Sequence, residues 1–428
     1  MPRCMNVNSK AGSTLVTEIK KAKSILKGIN WNFYPKSKPV SHTTSPFDCR
    51  KYHWFPATFV PEIPFTLIEV LTLPQAVVYD PFGGIGTTYF QALTLARRPF
   101  TTEINSVSVE YMRCLFSLFN PSLSLGELRK SIDNAMADFD PTENYVAEVP
   151  ENVLVDKLRP WYSDRTMNQL SFLFTKEAAC RDNVARATMR MGISAILKIT
   201  SSQDRGWGCI ADNVLPKQNK IKDKEALTIF TRHVHKLIDD VSNHLKYVPS
   251  DYGVVYAKIA NEHTIFHADV RNCNEIEDES VDLVVTSPPY PNMTDYGTSQ
   301  RLSYYFMGMD LLDPNPFMDL RSEIGARSRR TRKDALERYL VDMQKANESI
   351  ARKLRFGGYA CYVMPGFDKD SENNKNRAVV IQRVMSDVDR YNLSLEDRYE
   401  RVLPSRRRSH NVHWAKLERE TIFLFRKV

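Results

Sequence analysis

Residues 76–104 read AVVYD, PFGGIG, TTYFQALTLARR and PFTTEI in succession. AVVYD (76–80) is a short apolar run of β-branched and aromatic residues, the signature of a buried strand. PFGGIG (81–86) is a glycine-rich turn. TTYFQALTLARR (87–98) repeats its apolar residues at helical spacing, and PFTTEI (99–104) returns to strand character. A strand, a tight turn, a helix and a second strand at this spacing predict a parallel sheet with helices on its faces, an α/β fold. A glycine turn between strand and helix also lets backbone approach a ligand closely, beside the free N–H groups of the helix start.

The same alternation extends outward. IPFTLIEVLTL (63–73) precedes the first strand as a helix, and SVSVEYMRCLFSLF (106–119) follows the second. From about Val254 the pattern resumes. TIFHAD (264–269) and SVDLVVTSP (280–288) read as strands, RYLVDMQKANESIARKL (338–354) as a helix that stops at Gly357-Gly358, and YACYVMPG (359–366) as a strand. AVVIQRVMSDVDRY is a further helix, and SLEDRYERVLP and ETIFLFRKV are two closing strands. Between the two α/β stretches, helical periodicity dominates in LGELRKSIDNAMADF, DRTMNQLSFLFTKEAA, VARATMRMGISAILKI and ALTIFTRHVHKLIDDVSNHLKYV. The expected organisation is an N-terminal helix (15–26) and linker over 1–50, a first part of the core over 51–114, a mostly helical insertion over 115–255, and the rest of the core over 256–428.

Composition narrows the function classes. The 428 residues are 42% hydrophobic and 26% charged, enough apolar matter for a core, which excludes a disordered chain. No run approaches the roughly 18 apolar residues of a membrane span. MPRCMNVNSKAGS lacks an apolar signal core, so a cytoplasmic location is expected. Lys and Arg exceed Asp and Glu by 59 to 51, a net charge of +8, which suits a polyanionic partner. Seven scattered cysteines with no CxxC pair read as reduced thiols, and His233 and His235, two apart, do not share a helix face. No metal site is expected.

Two acids stand where a nucleoside would need them. Glu103 ends the strand after the glycine turn, where it can accept from ribose hydroxyls, and Asp269 ends TIFHAD, where it can bond an adenine amino group. The most specific feature is Ser287-Pro288-Pro289-Tyr290 at the end of an apolar strand. Two prolines remove two backbone donors and fix φ, leaving carbonyls without a local partner. With the Ser287 hydroxyl as a second acceptor and Tyr290 as a flat ring, this set suits a planar amine. Acceptors holding both hydrogens of an exocyclic amine favour its pyramidal transition state, and the ring can stack on a base taken out of a duplex.

With both motifs in place, the chain resembles the DNA amino-methyltransferases, which use S-adenosylmethionine (SAM) to methylate exocyclic amines. DPFGGIGTT (80–88) is similar to their SAM loop, DPFxGxGT, and TSPPY (286–290) to their catalytic motif, Asp/Asn/Ser-Pro-Pro-Tyr/Phe/Trp. The resemblance covers about 55–114 and 256–428 and implies a Rossmann-like SAM-dependent methyltransferase sheet. Carried over by position, Asp80, Phe82, Gly84, Gly86 and Thr87 would line SAM, Glu103 would hold its ribose and Asp269 its adenine. Thr58, in a stretch similar to the motif that closes over the methionine end, joins them. Ser287, Pro288 and Pro289 would hold the target amine and Tyr290 would stack on the base. Gly83 and Ile85 stand where the family more usually has Cys and Ser. Serine at 287 is the form typical of enzymes acting on N4 of cytosine, so the resemblance implies a site-specific, base-flipping DNA methyltransferase of that specificity. N6-adenine methylation, RNA amine methylation and a catalytically silent nucleic-acid-binding subunit remain the alternatives. A cytosine C5 mechanism would need a nucleophilic cysteine, usually after proline, and no Pro-Cys pair occurs.

In the family subset with this motif order the intervening region carries target recognition, which assigns 115–255 to gripping DNA. The basic runs RSEIGARSRRTRK (321–333) and SRRRSHNVHWAK (405–416) supply candidate phosphate contacts, Arg327, Arg329, Arg330, Arg332, Arg406 and Arg407. The resemblance further implies a prokaryotic restriction-modification or phage-defence setting. The expected partners are double-stranded DNA and a separate restriction endonuclease, since this chain carries no nuclease motif.

Overall fold

The structure is a computed structural model that describes residues 21–33, 45–58, 60–203, 215–311, 318–367, 371–403 and 417–428. Its centre is one seven-stranded sheet of order β3-β2-β1-β4-β5-β7-β6. The strands are β1 (Val77–Asp80), β2 (Arg98–Glu103), β3 (Ile265–His267), β4 (Val281–Thr286), β5 (Leu354–Phe367), β6 (Leu393–Val402) and β7 (Leu417–Lys427). The first five pair in parallel, and β7 runs antiparallel between β5 and β6. This is the Rossmann-like α/β sheet expected from the glycine turn and its flanking strands.

The near-continuous apolar runs of β1 and β4 follow from burial on both faces. Val78, Leu283, Val285, Cys361 and Val363 pack on one side with Ile63, Leu67 and Ile68 of the Glu62–Leu71 helix. Tyr79, Val284, Ala360 and Tyr362 face the other way, onto Met343 and Ile350 of the Ala335–Lys353 helix and Ile381 and Val384 of the Glu372–Ser386 helix.

The described residues between Leu125 and Ala260 are mostly helical, with the main helices at Leu125–Ala137, Asp164–Ala179, Asn183–Thr200, Ala226–Leu245 and Tyr252–Ala260. Ser124, Ser163 and Asp182 cap three of them by accepting from the backbone N–H three residues on. Their apolar faces join one cluster with Phe90 of the Thr87–Thr94 helix and Met112 and Leu115 of the Ser106–Leu118 helix. Among the described residues no helix is long and apolar enough to cross a membrane.

Several expectations need adjustment. The helix read to stop at Gly357-Gly358 ends at Lys353, and β5 starts at Leu354 and runs through both glycines. Gly357 has φ +78°, and a Cβ on Gly358 would stand 2.9 Å from the Asp282 carbonyl, so these glycines serve a bulge in the β4–β5 pairing. The strand TIFHAD shortens to Ile265–His267, and Asp269 instead caps a turn by accepting from Arg271 N–H. The N-terminal helix is present at 21–28, and its predicted residues 15–20 lie outside the described residues, as do Arg406 and Arg407.

Candidate active site

In the sheet order β1 and β4 are neighbours, and the chain leaves β1 toward β2 on one side while β4 leads to β5 on the other. Such a switch point opens a crevice at the carboxyl ends of the strands. Both motifs sit there: the glycine turn follows β1 and Ser287-Pro288-Pro289 follows β4. The side chains of the two strands are tied directly, since Thr286 Oγ1 donates to Asp80 Oδ1 at 2.7 Å. Asp80 also accepts from Phe82 N–H at 3.1 Å, which shapes the start of the turn. Thr88 gives its hydroxyl to the Val285 carbonyl (3.1 Å), and Asp80 Oδ2 is buried without a hydrogen bond. Burial raises the Asp80 carboxyl from 3.8 to about 6.

The turn is packed to contact. A Cβ on Gly83 would lie 2.2 Å from Thr101 Oγ1, so the residue at this position cannot carry a side chain while Thr101 stands behind it. Gly86, at φ +82°, precedes the Thr87–Thr94 helix, and a Cβ there would meet the Phe90 ring at 2.8 Å. Glu103 holds the turn from the next strand: Oε2 accepts from Gly84 N–H (2.7 Å) and Oε1 from Asn105 N–H (2.8 Å).

Around these elements lies a cleft. Its lining contains Thr58, Phe82, Gly84, Thr87, Glu103, Asp269, Ser287 and Pro289 of the sequence candidates. Asp80, Gly86, Pro288 and Tyr290 do not line it. Tyr290 instead points its hydroxyl at Glu420 Oε1 on β7 (2.8 Å), and burial with this carboxylate pushes the phenol well above its usual range. Ser287 Oγ donates to the Val363 carbonyl (3.4 Å), and Tyr339 OH fixes the loop by donating to the Pro289 carbonyl (3.0 Å). Asp269 forms a close ion pair with Arg271 (Nη2–Oδ2 2.6 Å), which also reaches Asp342 (2.5 Å). The partner guanidinium keeps Asp269 below its usual pKa despite burial.

The basic run 321–333 borders this cleft through Ser322, Glu323 and Ile324. Arg329 donates to the carbonyls of Leu320 (2.7 Å), Arg321 (3.2 Å) and Glu323 (3.3 Å), so it braces its own loop. Arg330 and Arg332 are exposed and Arg327 is half-buried.

Three contributors escaped the sequence reading. Phe55 and Tyr296 stack at 5.5 Å with 25° between their rings, and both line the cleft, Phe55 against Gly84. Glu323 is only 5% exposed, lines the cleft and accepts from Tyr296 N–H. Its only trace in the sequence is that it is the single acid, followed by an apolar Ile, within a run of six basic residues.

No protein-family model matches the chain. Over 277 residues, 61% of its length, it is 20% identical to the type II methyltransferase M.MvaI of Kocuria varians, and it spans 58% of that curated relative. Among solved structures it is similar to a SAM-dependent methyltransferase of Methanosarcina mazei (7% identity, 85% of this chain and 97% of that one, TM-score 0.32). A second is the rRNA methyltransferase aviRa of Streptomyces viridochromogenes (9% identity, 91% and 96% covered, TM-score 0.32).

Proposed function

We propose that the cleft binds SAM and that the chain methylates the exocyclic N4 of cytosine in a base flipped out of duplex DNA. The observation that carries this reading is the Thr286–Asp80 hydrogen bond, which joins the glycine turn and the Ser-Pro-Pro-Tyr loop at one sheet edge. The similarity to the type II methyltransferase M.MvaI adds support on the side of methyl transfer. The lining residues suit the cofactor. Gly84, at φ +52°, leaves room beneath the Phe55 ring, and Glu103 offers a carboxylate at the β2 end.

When bound, SAM supplies an electrophilic methyl group on a sulfonium, and transfer to nitrogen leaves a neutral thioether. The chain's own part is positioning. Ser287 Oγ and the Pro288 carbonyl would accept the two amine hydrogens and draw the lone pair of the nitrogen out of conjugation with the ring. The surplus proton of the methylated amine would pass to solvent. Tyr290, its hydroxyl held by Glu420, would offer its ring to the flipped base. Arg330 and Arg332 would meet backbone phosphates, and the helices of 115–255 would read or grip the duplex. In this reading the chain is a cytoplasmic prokaryotic methylase whose companion is a separate restriction endonuclease.

The test is methyl transfer from labelled SAM to mixed-sequence duplex DNA, followed by digestion and mass spectrometry of the nucleosides. Methyl on cytosine N4 supports the reading. Methyl on adenine N6 keeps the cleft and discards the base assignment. Unlabelled DNA alongside measurable SAM binding turns the search to RNA.

A further inference from the structure

The cleft has an uneven charge. Glu103, Asp269 and Glu323 line it, and none of its described lining residues is Lys, Arg or His. Glu103 is engaged by the glycine turn and Asp269 by the Arg271 guanidinium. Glu323 differs in kind. It comes from the loop after the Ser-Pro-Pro-Tyr motif, and it accepts from the backbone N–H groups of Tyr296 and Gly297. The charged groups around it are Asp295 on the Tyr296 loop, Glu103 near the Tyr296 phenol and Arg329 on the short turn that follows. Arg329 is committed to three backbone carbonyls. A nearly buried carboxyl is expensive to ionise unless a cation arrives to face it.

Resting on the SAM reading, we infer that Glu323 senses the charge at the cofactor's sulfur, so that the cleft favours the cationic sulfonium over the neutral thioether product. Loss of that charge on transfer then weakens the hold on the product. Burial raises the Glu323 carboxyl from 4.5 to about 8. A sulfonium pulls this value down, so binding of the sulfonium expels a proton below pH 8. Sulfonium affinity therefore rises with pH up to about 8 and levels off above it.

The experiment is titration calorimetry of the full chain with SAM and with S-adenosylhomocysteine between pH 6.5 and 8.5, for wild type and Glu323→Gln. Gln keeps an acceptor for the Tyr296 N–H, so the loop stays fastened while the charge is lost. The expected result is a wild-type preference for SAM that grows with pH. In Glu323→Gln that preference should shrink by about tenfold and lose its pH dependence. Equal weakening of both ligands, or an unchanged ratio, makes Glu323 a loop fastener and overturns the inference. A wild-type ratio flat with pH overturns it without recourse to the variant. Wild type that binds neither ligand removes the SAM reading itself, and the inference with it.

Discussion

Gly83→Ala is the sharpest test of how the glycine turn is built. The added Cβ would stand 2.2 Å from Thr101 Oγ1, where 3.4 Å is the near limit of ordinary contact. Thr101 cannot simply rotate away. It is fully buried on β2, and its hydroxyl donates to the Asp80 carbonyl at 2.9 Å. Relief therefore moves the turn, against the Gly83 N–H bond to the Thr102 carbonyl (3.0 Å), or breaks the Thr101 bond. Overpacking of this kind costs about 1–3 kcal/mol, and a lost buried hydrogen bond adds about 1 kcal/mol. Thr101→Ala alone forfeits its hydrogen bond and leaves a methyl-sized void, about 1–2 kcal/mol in all. In the double variant the clash disappears, so its cost should fall short of the sum of the singles by about 2 kcal/mol. Denaturant unfolding of the four proteins measures this coupling, and SAM affinity measured beside it should fall in Gly83→Ala and recover in the double variant. Additive costs would refute the packing argument, because they would mean that the two side chains do not compete for the same space. A Cys at this position should meet the same obstacle.

Other consequences are open to measurement. Because folding raises the Glu323 carboxyl from 4.5 to about 8, the folded chain keeps a proton there that the unfolded chain releases within that window. Its contribution to stability therefore falls as pH rises from 4.5 to 8, by at most about 5 kcal/mol, and Glu323→Gln should flatten the slope of unfolding free energy against pH. An identical slope would place the proton elsewhere. Tyr290→Phe keeps the ring but breaks the bond to Glu420, so transfer should survive at reduced stability, whereas Tyr290→Ala should abolish transfer with SAM binding intact. Equal activity in both would deny the ring its role. Reversing the exposed Arg330 and Arg332 to Glu should weaken DNA binding and reduce its salt dependence. Arg329→Ala should instead lower the melting temperature, since that side chain ties three carbonyls of its loop.

The strands could be read from sequence because their periodicity is local. AVVYD, PFTTEI and SVDLVVTSP are short apolar runs bounded by turn residues, and nothing elsewhere in the chain has to be known to see them. The inserted helices were legible for the same reason, helped by caps such as Ser163 and Asp182. Gly357 and Gly358 misled because a glycine pair reads as a helix stop, whereas here it serves a bulge whose need arises only from β4 alongside. Asp269 likewise reads as a strand end, yet Arg271 two residues on draws it into a turn.

The unread parts of the site share a cause, which is that their roles arise from contacts between distant segments. Phe55 and Tyr296 are 241 positions apart and are ordinary aromatics in their own stretches, but their rings meet over the glycine turn. Gly83 looks like a departure from the usual motif until Thr101 is seen behind it, and then it is the residue that fits. Glu323 is the clearest case. In sequence it is diluted by six basic neighbours, and net charge assigns the whole run to a polyanion. In the fold Arg329 turns onto backbone carbonyls, Arg330 and Arg332 stay in solvent, and Glu323 goes inward. One loop thus faces two ways, with cations toward solvent and a carboxyl toward the cleft. A charge count along the chain averages over that division, and only the fold separates its two sides.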